Sequence, residues 1–503
     1  MSFEPSYETY EYTARGPRVR AQSIVECRLA DWSSNRVLAV QPAVVFGGAE
    51  VSSGEVRYGG RLFFSVVAAT PDGALVAAER GAEFSHRAEC DRAAPAQEAD
   101  VSLFVEKTEV RADGRALVLS AIVTAEISLY VPAQLRRLTG GEGVVCRPAT
   151  LRVLRRAACT GTVSVEEEFD TDYVGDVLLH SEQIALTRVA CSAGCLEVSG
   201  EINLGVLSRK EESSEPVSYE RLIPFSAEIP CDDASAGLPC EARASVLSVN
   251  LTASCDEDKG RCRILARIEA EVRGAVFLRE ELACTDDAFL PGMRAELSFG
   301  ELETEEPVCS FTANERVCGT AALDGQIDFS CTLQAAGLCS VQAAASASDG
   351  EVTVDGVLSA VLFCREGDAE RGVPVSLPFS FPVRCDRARA GNEVRVSALC
   401  CGVSVRQKKE GEAEVEGSVR LFLSLSSRER GTYVAEIAAG EPLPAPGGAI
   451  GIYFPAAGDT LWDTAKKLGC TPEQLQASQP SLSFPLTGAE RIVVYRGGKG
   501  AVS

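Results

Sequence analysis

Apolar and polar residues alternate in three separate segments of the chain that share one skeleton. In each segment a glycine is followed by apolar side chains two, four and six places later, and the glycines are Gly60, Gly200 and Gly356. A period of two is typical of a β-strand with one buried face, because successive side chains of a strand point to opposite sides. The pattern therefore predicts the same strand three times.

A second recurring signal follows each of these glycines. A Phe-Ser pair comes first, beginning at Phe84, Phe225 and Phe379, and a Cys-Asp pair begins six residues later at Cys90, Cys231 and Cys385. The distance from glycine to cysteine is 30, 31 and 29 residues. Chance would rarely reproduce that spacing three times, so we interpret these residues as landmarks of an internal repeat.

Each repeat closes with another alternating run. These runs are Ala121, Val123, Ala125, Ile127 and Leu129; then Ile264, Ala266, Ile268, Ala270 and Val272; then Val415, Val419, Leu421, Leu423 and Leu425. Helical patterns are scarce in this part of the sequence. We therefore predict a mainly β protein with three modules, 1–142, 143–298 and 299–440, each an antiparallel β-sandwich or a barrel-like sheet. The sequence does not decide between those two architectures.

The pattern changes after a Pro- and Gly-rich linker at 441–448, and the last residues, 497–503, form a short predicted tail. Between them, residues 449–496 predict the order strand, helix, helix, strand. Thr460 caps the first helix and Gly469 ends it. Thr471, followed by Pro472, caps the second helix.

The amino-acid sequence of this C-terminal segment resembles that of a LysM domain. The resemblance rests on Gly458-Asp459-Thr460-Leu461-Trp462 followed by Ala465-Lys466-Lys467-Leu468-Gly469. It implies a two-stranded sheet with two helices on one side and a shallow groove that binds N-acetylglucosamine polymers such as peptidoglycan. Gly458, Asp459, Thr460 and Leu461 match one rim of the groove. The other rim carries Gln479-Pro480 where the family has Asn-Pro, which alters the polar contact there.

Trp462 has two interpretations. It either helps to form an exposed contact patch, or its indole packs beneath the first helix. We favour packing, because an aromatic residue at the start of a helix usually faces the core.

Charge and composition narrow the function classes. The chain has 72 Asp and Glu against 49 Lys and Arg, a net charge of −23, which argues against nucleic acid and anionic membranes as partners. The first residues lack the pattern of a secretory signal, and apolar stretches such as 116–125 are about half the ~20 residues that a membrane span needs. We therefore expect a cytoplasmic protein without a membrane span.

The 20 cysteines of this long chain are expected to be reduced thiols, and the recurring ones to be small buried residues. Only His86 and His180 could join them in a zinc site. Cys191 with Cys195, or Cys400 with Cys401, could bind metal or form cross-links, but a role in the core is favoured. No metal site, cofactor or catalytic residue is predicted.

Three β modules ahead of a LysM-like tail resemble the SPOCS-domain proteins of spore-forming Firmicutes, in particular the SipL-like spore-envelope type. Segments such as Gly143-Val144-Val145-Cys146 and 163–169 carry this resemblance at the start of the second module. It implies a mother-cell cytoplasmic protein that is recruited to the forespore surface and helps to attach the coat. Its expected partner is a spore coat morphogenetic protein, the ATPase called stage IV sporulation protein A. In that family the LysM domain is thought to bind protein instead of sugar.

Three function classes follow from these observations. The leading hypothesis is a non-enzymatic scaffold that docks through its LysM-like domain, with self-association through an exposed edge strand as a further property. The alternative is a protein that binds peptidoglycan or spore cortex, with an N-acetylglucosamine-containing glycan as its ligand. An enzyme is disfavoured, because a threefold repeat leaves little room for a unique catalytic domain.

Overall fold

The computed structural model describes residues 3–95, 97–211, 215–322, 334–335, 340–366, 369–409, 411–444 and 450–495. Residues 445–448 of the predicted linker and the predicted tail, 497–503, lie outside these described residues. Strands dominate up to Pro442, and the two α-helices of the described chain lie near its C-terminus. The prediction of a mainly β protein is confirmed.

Three modules follow one another along the chain. Module 1 contains β1 (Glu4–Leu29), β2 (Arg36–Ser52), β3 (Glu55–Ala69), β4 (Leu75–Glu89), β5 (Glu98–Asp113) and β6 (Ala116–Glu142). Module 2 contains β7 (Val145–Asp170), β8 (Gly175–Ser192), β9 (Cys195–Lys210), β10 (Pro216–Pro230), β11 (Cys240–Asp256) and β12 (Arg261–Phe289), with a 3-10 turn at Glu257–Lys259. Module 3 contains β13 (Met293–Ala322), β14 (Gln334–Ala335), β15 (Ser340–Ser348), β16 (Glu351–Glu366), β17 (Ala369–Arg384), β18 (Glu393–Lys409) and β19 (Glu412–Pro442).

Each module consists of two antiparallel sheets with the same topology. One sheet pairs the first strand with the last and the last with the one before it, in the orders β1-β6-β5, β7-β12-β11 and β13-β19-β18. The other is a meander, β2-β3-β4, β8-β9-β10 or β15-β16-β17, to which the short β14 is added in module 3. Apolar side chains from both sheets share one core in each module. Each module is therefore a β-sandwich, and the architecture repeats three times.

The landmark glycines lie in the central strand of each meander, where they face the recurring phenylalanines. Gly60 pairs with Phe84, Gly200 with Phe225 and Gly356 with Phe379. A Cβ atom at Gly200 would lie 2.6 Å from the Phe225 ring, and one at Gly356 would lie 2.8 Å from a ring atom of Phe379. In modules 2 and 3 the aromatic ring therefore occupies the space that a side chain would need. In module 1 the backbone carbonyl of Val45 takes that space.

The landmark cysteines are buried and occupy one recurring turn after the third strand of the meander. The cysteine amide donates a hydrogen bond to a hairpin glycine carbonyl: Cys90 to Gly54 at 2.9 Å, Cys231 to Gly194 at 2.9 Å and Cys385 to Gly350 at 3.0 Å. Each of these hairpin glycines has a φ between +76° and +82°. The left-handed backbone explains why glycine is needed there.

Two expectations are corrected by the structure. The boundary at 298/299 falls inside β13, which begins at Met293, so the second module ends at the turn before that strand. Cys255 and Cys262 form a disulfide across the β11–β12 hairpin, where they are paired residues with a Cα–Cα distance of 3.9 Å. The expectation of reduced thiols is therefore wrong for this pair, because the hairpin register places the two thiols side by side.

Residues from all three modules meet in clusters outside the module cores. One cluster contains Leu75 from module 1, Leu207 from module 2 and Phe363 from module 3, each at most 2% exposed. A second cluster joins Leu138, Leu290 and Val434 in the same way. The three sandwiches consequently bury apolar surface against one another as well as inside themselves.

Ion pairs and hydrogen bonds also cross between the modules. The Arg15 guanidinium of module 1 donates two hydrogen bonds of 3.1 Å to the Glu393 carboxylate of module 3, and both side chains are about 15% exposed or less. The Asn203 side chain of module 2 donates to the carbonyl of Cys400 in module 3 at 2.6 Å. Arg156 of module 2 lies 3.9 Å from the ring centroid of Tyr130 in module 1. Every pair of modules is joined by a polar contact of this kind.

Candidate interaction surface

The C-terminal domain has the strand, helix, helix, strand order that its sequence predicts. It contains β20 (Ile450–Tyr453), α1 (Leu461–Leu468), α2 (Pro472–Ser478) and β21 (Ile492–Tyr495). Thr460 and Thr471 each form a capping box with the third helical residue, Asp463 or Gln474. Gly469 ends α1 with a φ of +67°. These local signals place both helices where the sequence predicts them.

One face of the two-stranded sheet is covered by the helices. Tyr453 pairs with Ile492, and both pack with Ala465 of α1 and Leu475 of α2 in the core of this domain. Because side chains alternate along a strand, the neighbouring pair, Ile452 and Val493, points to the other face. Side chains on one face of the sheet therefore pack in the core of the domain, whereas those on the other face point away from the helices.

The first predicted groove rim, residues 458–461, is held by hydrogen bonds within the domain. The Gly458 amide donates to the Leu486 carbonyl at 2.7 Å, and the Leu486 amide donates to the Asp459 carbonyl at 2.9 Å. The Asp459 carboxylate accepts from the Lys467 ammonium at 2.9 Å, the Ala456 amide at 2.9 Å and the Tyr453 hydroxyl at 3.1 Å. The Lys467 and Ala456 hydrogen bonds hold the pKa of Asp459 below its ordinary value. Asp459 therefore fixes the loop ahead of α1.

The second predicted rim, Gln479-Pro480, begins at the C-cap of α2. The Gln479 side-chain amide donates to the Val493 carbonyl at 3.2 Å, so it holds α2 against β21. Pro480 is exposed. The described hydrogen bonds tie the first rim to Leu486 and the second rim to β21.

Trp462 is 8% exposed, and it packs against module 2. Its indole N–H donates to the Asp287 carboxylate at 2.7 Å, and its ring meets Phe289 edge-on with centroids 5.3 Å apart. The Lys466 ammonium binds the same carboxylate at 2.7 and 2.8 Å. The sequence left two interpretations for Trp462, an exposed contact patch or packing beneath the first helix of its own domain. It did not indicate a contact with a distant strand of module 2. Asp287 had no sequence signal that distinguished it from the other 71 acidic residues.

The outer face of the sheet carries three large exposed apolar side chains. Ile450 is 61% exposed, Ile452 58% and Phe454 65%, and they occupy alternate positions along and just after β20. The Arg491 guanidinium lies 6.0 Å from the centroid of the Phe454 ring. From the sequence, 450–454 was predicted only to be a short strand. Apolar residues at alternate positions of a strand whose other side is covered by helices were the signal that could have indicated this exposed face. We call Ile450, Ile452 and Phe454 the β20 face.

The described residues form neither a candidate metal site nor a helix that could span a membrane. Among them, no group of three or more His, Cys, Asp or Glu side chains is arranged to hold a metal ion. None of the helices in the described ranges has the length and apolar character needed to cross a bilayer.

Comparisons of this chain with protein-family models, with curated proteins and with solved structures give no match.

Proposed function

We propose that this chain is a non-enzymatic scaffold of the bacterial spore envelope, which docks through its C-terminal domain onto a coat morphogenetic protein of the stage IV sporulation protein A kind. The proposal takes its partner from the family resemblance of the sequence. It assigns the protein to the mother-cell cytoplasm and to the forespore surface. The observation that carries the docking step is the β20 face.

Contiguous large apolar side chains that are exposed to solvent, such as these three, are typical of an interaction site. The described helices and the described parts of the three modules leave each member of the β20 face more than half exposed. Burying a side chain of this size against a partner contributes about 1.5–3 kcal/mol. The face is therefore well suited to a protein partner.

The groove rims offer less support for a glycan ligand. The polar rim side chains are Asp459, Thr460 and Gln479. In their own domain they bind the Lys467 ammonium, the Asp463 carboxylate and the Val493 carbonyl, respectively. Trp462, the aromatic residue next to the rim, is buried against module 2. Sugar recognition needs polar groups that are free to contact hydroxyls and an accessible aromatic surface. This arrangement favours the protein partner over peptidoglycan.

Binding of the full chain to the purified morphogenetic ATPase tests the proposal. The double variant Ile452→Ser/Phe454→Ser removes two members of the β20 face, and we expect it to weaken binding about 100-fold or more. The matched control is Ile24→Ser, since Ile24 is 66% exposed but lies in module 1. Circular dichroism of all variants establishes that they fold.

Two outcomes would contradict the proposal. One is equal binding by the double variant and by the wild-type chain. The other is co-sedimentation of the full chain with purified peptidoglycan in the absence of the ATPase, which would favour the glycan-binding alternative.

A further inference from the structure

Module 3 contains a pair of thiols that links its two sheets. Cys309 lies in β13, and Cys385 lies in the turn after β17, on the other sheet. Their Sγ atoms are 3.8 Å apart. The two residues are 76 positions apart in sequence, so tertiary packing alone brings them together.

Module 2 has a cysteine pair at the equivalent place. Cys231 occupies the same turn as Cys385, and Cys159 in β7 corresponds to Cys309 in β13. Cys159 lies opposite Gly274, thirteen residues after the first residue of β12, and Cys309 lies opposite Leu425, thirteen residues after the first residue of β19. Burial and the neighbouring Cys231 thiol raise the pKa of Cys159 to about 11.

Module 1 lacks the second member of the pair. Cys90 occupies the same turn. Thirteen residues after the first residue of β6 stands Leu129, whose Cβ lies 3.1 Å from the position that a Cβ at Gly16 of β1 would take. A glycine of β1 thus stands where modules 2 and 3 carry a cysteine. Cys90 therefore serves as a natural control for the chemistry of the pairs.

A cavity gives small molecules access to the module 3 pair. It lies between modules 2 and 3, has a volume of about 370 Å³, and its lining includes Cys191, Cys240, Cys309 and Arg387. Cys309 is half-buried, whereas Cys385 is 9% exposed. An incoming reagent therefore reaches Cys309 first, with Cys385 behind it.

We propose that Cys309 and Cys385, and the equivalent Cys159 and Cys231, are sites of disulfide formation that link the two sheets of modules 3 and 2. The oxidant is a low-molecular-weight disulfide, RSSR. The Cys309 thiolate attacks one sulfur of RSSR, forming a mixed disulfide and releasing RS⁻, which takes up a proton. The Cys385 thiolate then attacks the Cys309 sulfur and releases the second RSH. Two protein thiols lose two electrons and two protons, and one RSSR becomes two RSH.

The surroundings of the two thiols determine the rate of this disulfide formation and its effect on stability. Burial and the Cys385 thiol raise the pKa of Cys309 to about 11, so the reactive thiolate is scarce at neutral pH and oxidation is faster in alkali. A link across 76 residues restricts the unfolded chain strongly. The oxidised protein is therefore expected to melt at a higher temperature than the reduced protein, by on the order of 5–10 °C.

The test exposes the reduced full chain to oxidised glutathione at pH 8.5, followed by alkylation of free thiols and mass spectrometry of the peptides. We expect cross-linked peptides that join Cys309 to Cys385 and Cys159 to Cys231, with Cys90 alkylated in the same sample. Cys385→Ser should instead accumulate a glutathione adduct on Cys309, and Cys385→Ala provides a second variant if serine destabilises this buried turn.

Separate alkylation of Cys309 and Cys385 after complete treatment would overturn the proposal. So would a cross-link from Cys309 to Cys191 or Cys240 across the cavity. The proposal does not depend on the scaffold function, because peptide mapping requires no partner.

Discussion

The three modules and the C-terminal domain are attached to the rest of the protein in different ways. The modules share apolar clusters to which each contributes, and buried polar contacts cross every pair of modules. The contact of the C-terminal domain with module 2 centres on Asp287 and Phe289, which meet Trp462 and Lys466. The difference indicates that the modules act as one body, on which the C-terminal domain is held by a small and separable contact.

The largest expected effect comes from the cluster shared by the modules. Phe363 is 2% exposed and lies in that cluster, so Phe363→Ala should lower the free energy of unfolding by about 3–5 kcal/mol. Phe299→Ala is the matched control because Phe299 is 58% exposed, and it should cost little. Chemical denaturation of the full chain measures both. Equal losses for the two variants would mean that the modules do not depend on one another.

The ion pair between modules 1 and 3 should have a somewhat smaller effect. Glu393→Gln removes one of the two carboxylates that the largely buried Arg15 guanidinium binds, Glu305 being the other, and we expect a loss of about 1.5–3 kcal/mol in the free energy of unfolding. Glu166→Gln removes a pair with Arg267 in which both side chains are about 60% exposed, and should cost less than ~1 kcal/mol. If the two variants lose the same stability, the intermodule pair has no special importance.

The docking of the C-terminal domain can be followed through tryptophan fluorescence. The chain has two tryptophans, so Trp32→Phe leaves Trp462 as the reporter. In that background Asp287→Ala should shift the emission to longer wavelength, because it removes the hydrogen bond that holds the indole against module 2. Asp176→Ala is the control, since Asp176 of the same module accepts a hydrogen bond from Arg209 at 2.8 Å and not from Trp462. The melting temperature of the modules should stay the same in both variants.

The smallest expected effect is the pH dependence of this contact. Partial burial acts to raise the pKa of Asp287, but the hydrogen bonds from Lys466 and Trp462 outweigh it, so the pKa lies below its ordinary value. A carboxylate whose pKa is depressed in the folded protein stabilises the contact at any pH above its unfolded-state pKa of about 3.9. That stabilisation is lost as the pH falls through the folded-state pKa. Trp462 emission in the Trp32→Phe chain should therefore be constant from pH 8 to pH 5 and shift below about pH 4. A shift near pH 6 would contradict the assignment to Asp287.

The fold could be predicted from the sequence wherever the signal was local. The period of two placed the strands around Gly60, Gly200 and Gly356, and the caps at Thr460 and Thr471 placed both helices. The recurring Phe followed from the repeat, although its position opposite the glycine became visible only in the strand register. The candidate site was less accessible to sequence reasoning. The sequence named the predicted rim residues, which stay a prediction, and it indicated neither the β20 face nor the Asp287 contact.

The amino-acid sequence alone determined that this protein repeats one β module three times and ends in a small helical and stranded domain, because alternation, turns and helix caps depend on neighbouring residues. Only the tertiary structure decided that the first and last strands of each module pair, that Trp462 meets module 2, and that Cys309 faces Cys385. Those contacts join residues far apart in the chain, and they form because burying apolar surface between sheets brings the residues together. A local pattern identifies the surface that must be buried, but not the distant surface that covers it.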